Sequence, residues 1–447
     1  MRLVSKSRAA HSQTNGMTVT AERHIVPAPS SGMARDAMSE LARDAAAEHA
    51  ATWQPFALEN GARIELRISH TLDAAGLAMI ATLREGPPRT LFSSPEWIEA
   101  WLGRGDLARA GTPVLIFARD DEGVPAFVLP LFLRRTGGAS VLTWLGEETF
   151  AVQFPPCAKA MREALTSSDI ERLFAMLRSL LDGGFDAVRL RNQPKNWAGA
   201  SNPFAAGAND AAPNGNFERA LESDYAALYE STFTSRERRN HARQRRRLHE
   251  AGSIDVSIAE TDAEREEILA AFFAFKTAQL EQIGAANPFA CSELRTFYRR
   301  GLASLPQTPT MGPVCAGLRV DGVLVATLLG VRDGERFTTL MSAITLDDVA
   351  RTSPGQQLLE HVMADLCARD VRVFDFGPGA SQQKLRWNMA PVTLYDRTYI
   401  FHPRAWPVVL WGRATSGLVR RLKNNPTLFR TLSSLRARVM GRSRPKT

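Results

Sequence analysis

Asp375 and Lys384 flank a Gly377-Pro378-Gly379 turn in the run VFDFGPGASQQKLRWN. A carboxylate at the end of an apolar strand can orient an acceptor amine or take its proton. An ammonium nearby can stabilise charge on a carbonyl oxygen or a phosphate. These are groups that transfer of an acyl group to an amine or hydroxyl requires. Trp387 reads as a pocket wall, and His361 lies within the helix that leads to the strand, beside its apolar positions.

The elements that must position these groups are legible. Ser353 reads as an N-cap, Pro354 as the first helical residue and Gln356 as the third position of a capping box. Leu358, Leu359, Val362, Met363, Leu366 and Cys367 form one apolar helical face. Val371, Val373 and Phe374 make a short buried strand ended by Asp375, and the glycine turn breaks it. The helix start at Ser353, Gly355 and Gln356 presents unpaired N–H groups suited to a pyrophosphate. An ordinary helix–strand unit with a turn aspartate and a solvated lysine is the alternative.

The 447 residues suffice for two or three domains, and 44% of them are hydrophobic, enough for real cores. Cys157, Cys291, Cys315 and Cys367 are scattered, which argues against a disulfide framework or a zinc site; no metal is expected. No apolar run is long enough to span a membrane, and no signal-peptide core is present. A cytoplasmic location follows, with the inner membrane surface as an alternative address. Nucleophile-elbow, P-loop and Ser-His-Asp patterns are also missing.

The net charge of +8 is unevenly spread: residues 401–447 hold eleven Arg or Lys and no Asp or Glu. Leu428, Leu432, Leu435 and Val439 space an apolar stripe within this tail, as in a basic amphipathic helix that lies on an anionic membrane. A second concentration, seven Arg between Arg236 and Arg247, sets Arg243, Arg246 and Arg247 on one helical side. These three are candidates to hold CoA phosphates, RNA or another acidic partner; a solvated helix is the bland reading.

Two regions share one pattern. Thr112–Thr136 and Pro313–Arg336 each read as strand, acidic-glycine turn and strand, with Asp321-Gly322 a strong hairpin signal. A strand, a helix and a strand follow both: 141–145, 169–181 and 187–191 in the first, 337–343, 354–369 and 371–376 in the second. The repeat predicts a tandem duplication of a mixed α/β unit. A further strand at 393–401 is expected to close the second unit.

Three stretches resemble the GNAT acyltransferases, in the tandem arrangement of Fem-type transferases and of a bacterial group linked to cellulose biosynthesis. They are LFSSPEWIEAWL from Leu91, the Arg-rich helix from Ser235 to Gly252, and Ser353-Pro354-Gly355 followed by FDFG and Lys384-x-x-Trp387. The resemblance implies α/β tandem GNAT-like domains, each a mixed, mostly antiparallel sheet flanked by helices. It implies an acyl-CoA donor, bound by Ser342, Arg351, Ser353, Gly355 and Gln356, and an amine, hydroxyl or glycan acceptor. Two departures stand out. Pro354 and Gln356 occupy places where small residues are usual, and Gln383 replaces a Tyr, for which Tyr395 is the candidate substitute.

The resulting organisation is a disordered leader (1–60), a first domain (61–197) that shapes the acceptor pocket or is structural, a linker (198–216), a catalytic second domain (217–403) and the basic tail (404–447). An aminoacyl-tRNA donor read by the Arg-rich helix, or a non-catalytic scaffold on a membrane, are the competing functions.

Overall fold

The computed structural model describes residues 52–208 and 210–423. The amphipathic stripe at 428–439 and residues 1–51 of the leader lie outside them.

The first half begins with β1 (Gln54–Ala57), β2 (Arg63–Ser69), α1 (Ala74–Leu83), α2 (Pro95–Leu102) and α3 (Leu107–Ala110). A meander of β3 (Thr112–Asp120), β4 (Pro125–Thr136) and β5 (Ala139–Trp144) precedes α4 (Lys159–Ala164), α5 (Ser167–Leu180) and β6 (Ala187–Pro194). The connection carries β7 (Asn196–Trp197), β8 (Ala200–Ser201), β9 (Asp210–Ala211) and β10 (Asn216–Ala220). The second half contains α6 (Tyr225–Thr232), α7 (Ser235–Glu250), β11 (Ile254–Ile258), α8 (Asp262–Gln282) and α9 (Ser292–Ser304). Then come β12 (Met311–Val320), β13 (Val323–Asp333), β14 (Arg336–Ile344), α10 (Pro354–Ala368), β15 (Val373–Pro378) and α11 (Gln382–Arg386). β16 (Ala390–Val392), β17 (Leu394–Ile400) and α12 (Trp406–Lys423) close the described chain.

Local chemistry explains the boundaries. Asp321 and Gly322 both take positive φ, 48° and 80°, as a two-residue hairpin turn requires. Thr234 with Glu237, and Thr261 with Glu264, form full capping boxes that start α7 and α8. Ser353 differs from expectation. It sits in the left-handed region at φ 60° and makes no side-chain cap, so Gln356 is released from a capping role.

The strand–strand–strand–helix–strand order recurs as β3-β4-β5-α5-β6 and β12-β13-β14-α10-β15. The sheets run β1-β2-β3-β4-β5-β6-β17-β9 and β11-β12-β13-β14-β15-β10-β16. In each, one parallel pair covers three residues: Val141–Thr143 on Ala187–Arg189, and Arg336–Thr338 on Val373–Asp375. The next strand along is antiparallel, and comes from the end of the second half in the first sheet and from the connection in the second. β17 pairs with β6, while β10 pairs with β15.

These pairings correct the sequence boundaries. The strand expected to close the second unit completes the first sheet. Asn216, assigned to the linker, begins a strand of the second. Residues 54–57, assigned to the leader, pair with β2. Pairing register is set by long-range packing, which chain order does not encode.

The halves share one core. Trp97 of α2 meets Phe297 of α9 edge-on at 5.0 Å, and Leu115, Phe117, Leu329 and Val331 belong to the same buried cluster. Asp333 pairs with Arg84 at 2.8 Å and Arg89 at 2.9 Å across the join. A separate core holds α10 against α6, α7 and the other face of the second sheet.

Candidate active site

The site follows from the short parallel pairing. β14 stays paired with β13 to Ile344 but leaves β15 after Thr338, so the strands diverge with the start of α10 beyond. A register shift opposite Leu329 and Gly330 adds one residue to β14 at Leu340, a bulge that turns the strand. Gly330 is required there: a Cβ would lie 2.3 Å from the Phe337 ring and 2.6 Å from the Thr338 carbonyl. From Thr339 to Ile344 the backbone edge facing β15 has no strand partner. The Thr339 hydroxyl is buried and makes no hydrogen bond among the described residues. Such an edge supplies N–H donors to an oxygen that gains charge.

Asp375 is buried on the opposite strand. Its Oδ1 accepts from Asn216 Nδ2 at 2.8 Å and Gly377 N at 2.9 Å, and Oδ2 lies 3.4 Å from Arg336. Burial raises its carboxyl above the usual range, with Arg336 opposing most. Arg336 also binds Glu218 at 2.8 Å and lies 4.2 Å over the Trp197 ring of the connection. Asp375 is therefore saturated, and its geometry is that of a group holding the strand end.

Lys384 is corrected likewise. It is 4% exposed, and Nζ donates to the carbonyls of Gly377, Pro378 and Gly379 at 2.8, 2.9 and 2.7 Å. Three donors meet three acceptors, so no proton remains for a reacting carbonyl. Burial brings this ammonium down to about 8, with Asp375 opposing.

Around the start of α10, Gln356 accepts from Trp387 Nε1 at 3.3 Å and donates to Glu360 at 3.0 Å. Trp387 is fully buried, edge-on to Phe233 at 4.8 Å, so it is core rather than pocket wall. Gly355 sits against Ile344, the end of the diverging strand. Ser342 is exposed on β14, and Arg351 is exposed beside Asp348 at 3.2 Å. His361 is exposed one turn further along, on the wall of a neighbouring cavity. Tyr395 is not on either diverging strand. It belongs to β17 in the first sheet, opposite Gln193 and under Lys195. Arg243, Arg246 and Arg247 are exposed on α7 and make no ion pair among the described residues.

Sequence reasoning missed Thr339, Asn216, Arg336 and Glu360. A Thr338-Thr339 pair inside an apolar strand and a Glu on an apolar helix face were the available signals. The first half has the same divergence, but there Gln153 N donates to the Asn192 carbonyl at 2.9 Å, so its own chain occupies β6.

Residues 235–385 match the family model described as an acetyltransferase (GNAT) domain. The GNAT fold is what this chain adopts. FemX superposes on it with a TM-score of 0.52 at 11% identity over 77% of this chain and 99% of that one. A tandem GNAT protein from the clavulanic acid biosynthesis pathway gives 0.42 at 13% identity, covering 75% and 98%. The N-myristoyltransferase of Saccharomyces cerevisiae with bound myristoylCoA gives 0.39 at 12%, covering 77% and 84%. No curated protein matches. The GNAT match spans the diverging strands, α7 and α10 together.

Proposed function

We propose that the second half transfers an acyl group from an acyl-CoA thioester to an amine or hydroxyl acceptor between β14 and β15. The open edge of β14, with the α10 N-terminus at its end, carries this reading. The thioester oxygen would take N–H donors from that edge, and the pyrophosphate the Gly355 N–H with Arg351 beside it; the Ser353 and Gln356 N–H groups, read from sequence as free, donate to the Ala350 and Ser353 carbonyls at 3.2 and 3.1 Å. The acceptor nitrogen or oxygen attacks the carbonyl carbon, the C–S bond breaks, and CoA leaves as the thiol with the proton the acceptor releases. Asp375 and Lys384 act as positioning residues: they fix the turn that ends β15. The resemblance at Leu91–Leu102 and the Arg-rich helix suggests an acceptor in exopolysaccharide or envelope metabolism.

Peripheral membrane association is supported by α12. Trp406, Leu410 and Trp411 are 48%, 55% and 74% exposed in a segment without acidic residues. No helix among the described residues is long and apolar enough to cross a membrane. Co-sedimentation with anionic but not neutral vesicles tests this placement.

The test of the transfer reading is calorimetric titration of acetyl-CoA and a longer acyl-CoA into the protein and a Gly355→Val variant. A Cβ at Gly355 meets Ile344 at 2.9 Å, so the variant crowds the helix start. Micromolar binding weakened at least tenfold by the substitution supports the reading; no binding to either thioester rejects the CoA donor. The competing donor, an aminoacyl-tRNA, is favoured by one observation. Arg236, Arg239, Arg243, Arg246 and Arg247 are exposed on α7 without ion pairs among the described residues. tRNA binding that weakens steeply with salt would select it.

A further inference from the structure

A cavity of about 660 Å³ lies between α6, α7, β11 and α10, on the helix side of the second sheet. Its walls are apolar: Ile254 and Val256 from β11, Ala226 from α6 and Ala364 from α10. Its polar groups are unevenly committed. Glu360 is 7% exposed, and its oxygens lie 3.0 Å from Arg245, 3.0 Å from Gln356 and 3.3 Å from His241. His241 in turn lies 2.8 Å from the Tyr229 hydroxyl. The buried carboxylate is therefore already compensated, as a buried charge must be.

The donors are not. The Tyr225 hydroxyl is buried and has no hydrogen-bond partner among the described residues, which costs stability unless something absent accepts from it. Arg245 uses one nitrogen on Glu360 and keeps the rest of its guanidinium half exposed. His249 and His361 are exposed at the mouth. Glu230 is the one uncompensated carboxylate of the lining, and it is exposed at the rim. Burial raises both phenols, Tyr229 to about 12, so both keep their protons near neutral pH. The five exposed arginines of α7 without ion pairs among the described residues lie off the lining face of that helix and add a longer-range positive field.

We propose that this cavity is a second ligand site, for a small anion with an apolar body such as an alkyl phosphate or carboxylate. The anionic head would meet Tyr225 and Arg245, and the body would lie against Ile254, Val256 and Ala364. The site stands apart from the diverging strands and does not rest on the transfer reading. The Glu360–Gln356–Trp387 chain of hydrogen bonds connects it to the start of α10.

The test is calorimetric titration of hexyl phosphate, with 1-hexanol as the neutral control, into the full chain and two variants. Tyr225→Phe removes only a hydroxyl that makes no hydrogen bond among the described residues. Ala364→Phe fills the cavity. Saturable binding of hexyl phosphate but not hexanol is expected, weakened about tenfold by Tyr225→Phe with no loss of melting temperature, and abolished by Ala364→Phe. Displacement by phosphatidic acid vesicles would assign the anion to a lipid, and its absence to a soluble molecule. Equal binding of hexanol, Tyr225→Phe affinity equal to that of the unsubstituted protein, or competition by acetyl-CoA for the same site would overturn the proposal. If Ala364→Phe does not fold, the Tyr225 comparison still decides.

Discussion

The Lys384 ammonium donates to the Gly377 carbonyl at 2.8 Å, and so the helix after β15 grips the end of β15. Gly377 has φ 79°, a conformation glycine tolerates without strain, and Pro378 and Gly379 turn their carbonyls to the same nitrogen. The charge that sequence assigns to a reacting carbonyl is spent on the backbone. The strand end it fixes is one wall of the candidate site.

Lys384→Met should therefore act first on stability. It strips three carbonyls of a charged donor; Gly377 is buried, while Pro378 and Gly379 can turn to water. The expected loss is about 2–4 kcal/mol, from lost charged hydrogen bonds and one unsatisfied buried acceptor. Urea denaturation measures it. An unchanged midpoint with lost acyl transfer would instead return Lys384 to a direct catalytic role.

The same residue gives a pH signature. The folded ammonium titrates near 8, below its usual 10.5. Between those values the unfolded chain binds more protons than the folded one, so stability contributed by this site rises with pH across that window. Lys384→Met lacks the rise. The stability of the unsubstituted protein relative to the variant should grow from pH 8 to 10.5. A flat difference would show that the three carbonyls hold the proton as tightly as water does.

Much of the scaffold was legible because it is local. Period-3.6 apolar spacing gives α10, Asp321-Gly322 gives the β12–β13 hairpin, and the repeated element order gives the two sheets. The sheet that β17 joins and the strand at β10 were not legible, because pairing across sheets is set by long-range packing. Side-chain roles were legible only as types. Asp375 and Lys384 are charged residues beside a glycine turn, but their partners are backbone groups, Arg336 and an asparagine 159 residues away. Thr339 escaped notice because its hydroxyl matters only where two strands separate, which depends on pairing rather than spelling.

Thr339→Val keeps shape and removes the buried hydroxyl that bonds to nothing among the described residues. An unsatisfied group contributes no stability, so the melting temperature should stay level or rise slightly. If the hydroxyl meets a substrate, acyl transfer or donor affinity should fall roughly three- to tenfold, about one hydrogen bond. Steady-state rates on acetyl-CoA beside a thermal melt separate the two readouts. A stability loss with intact rates would mean that the hydroxyl has a structural partner.

The join between the halves offers the sharpest mechanical test. Asp333 is 6% exposed and receives Arg84 and Arg89 from the first half, and Arg84 is itself 7% exposed. Burial lowers the Arg84 guanidinium below its usual range, and Asp333 is the main opposing influence. Asp333→Ala leaves a buried cation without its counter-charge, which typically costs about 3–5 kcal/mol. Because Trp97, Phe297 and their neighbours form one core across the same join, the loss should fall on a single cooperative transition. Denaturation followed by tryptophan fluorescence and by far-ultraviolet circular dichroism checks both points. Coincident curves with a lowered midpoint are expected; two separated transitions would mean that the halves fold independently and that the shared aromatic core is not what couples them.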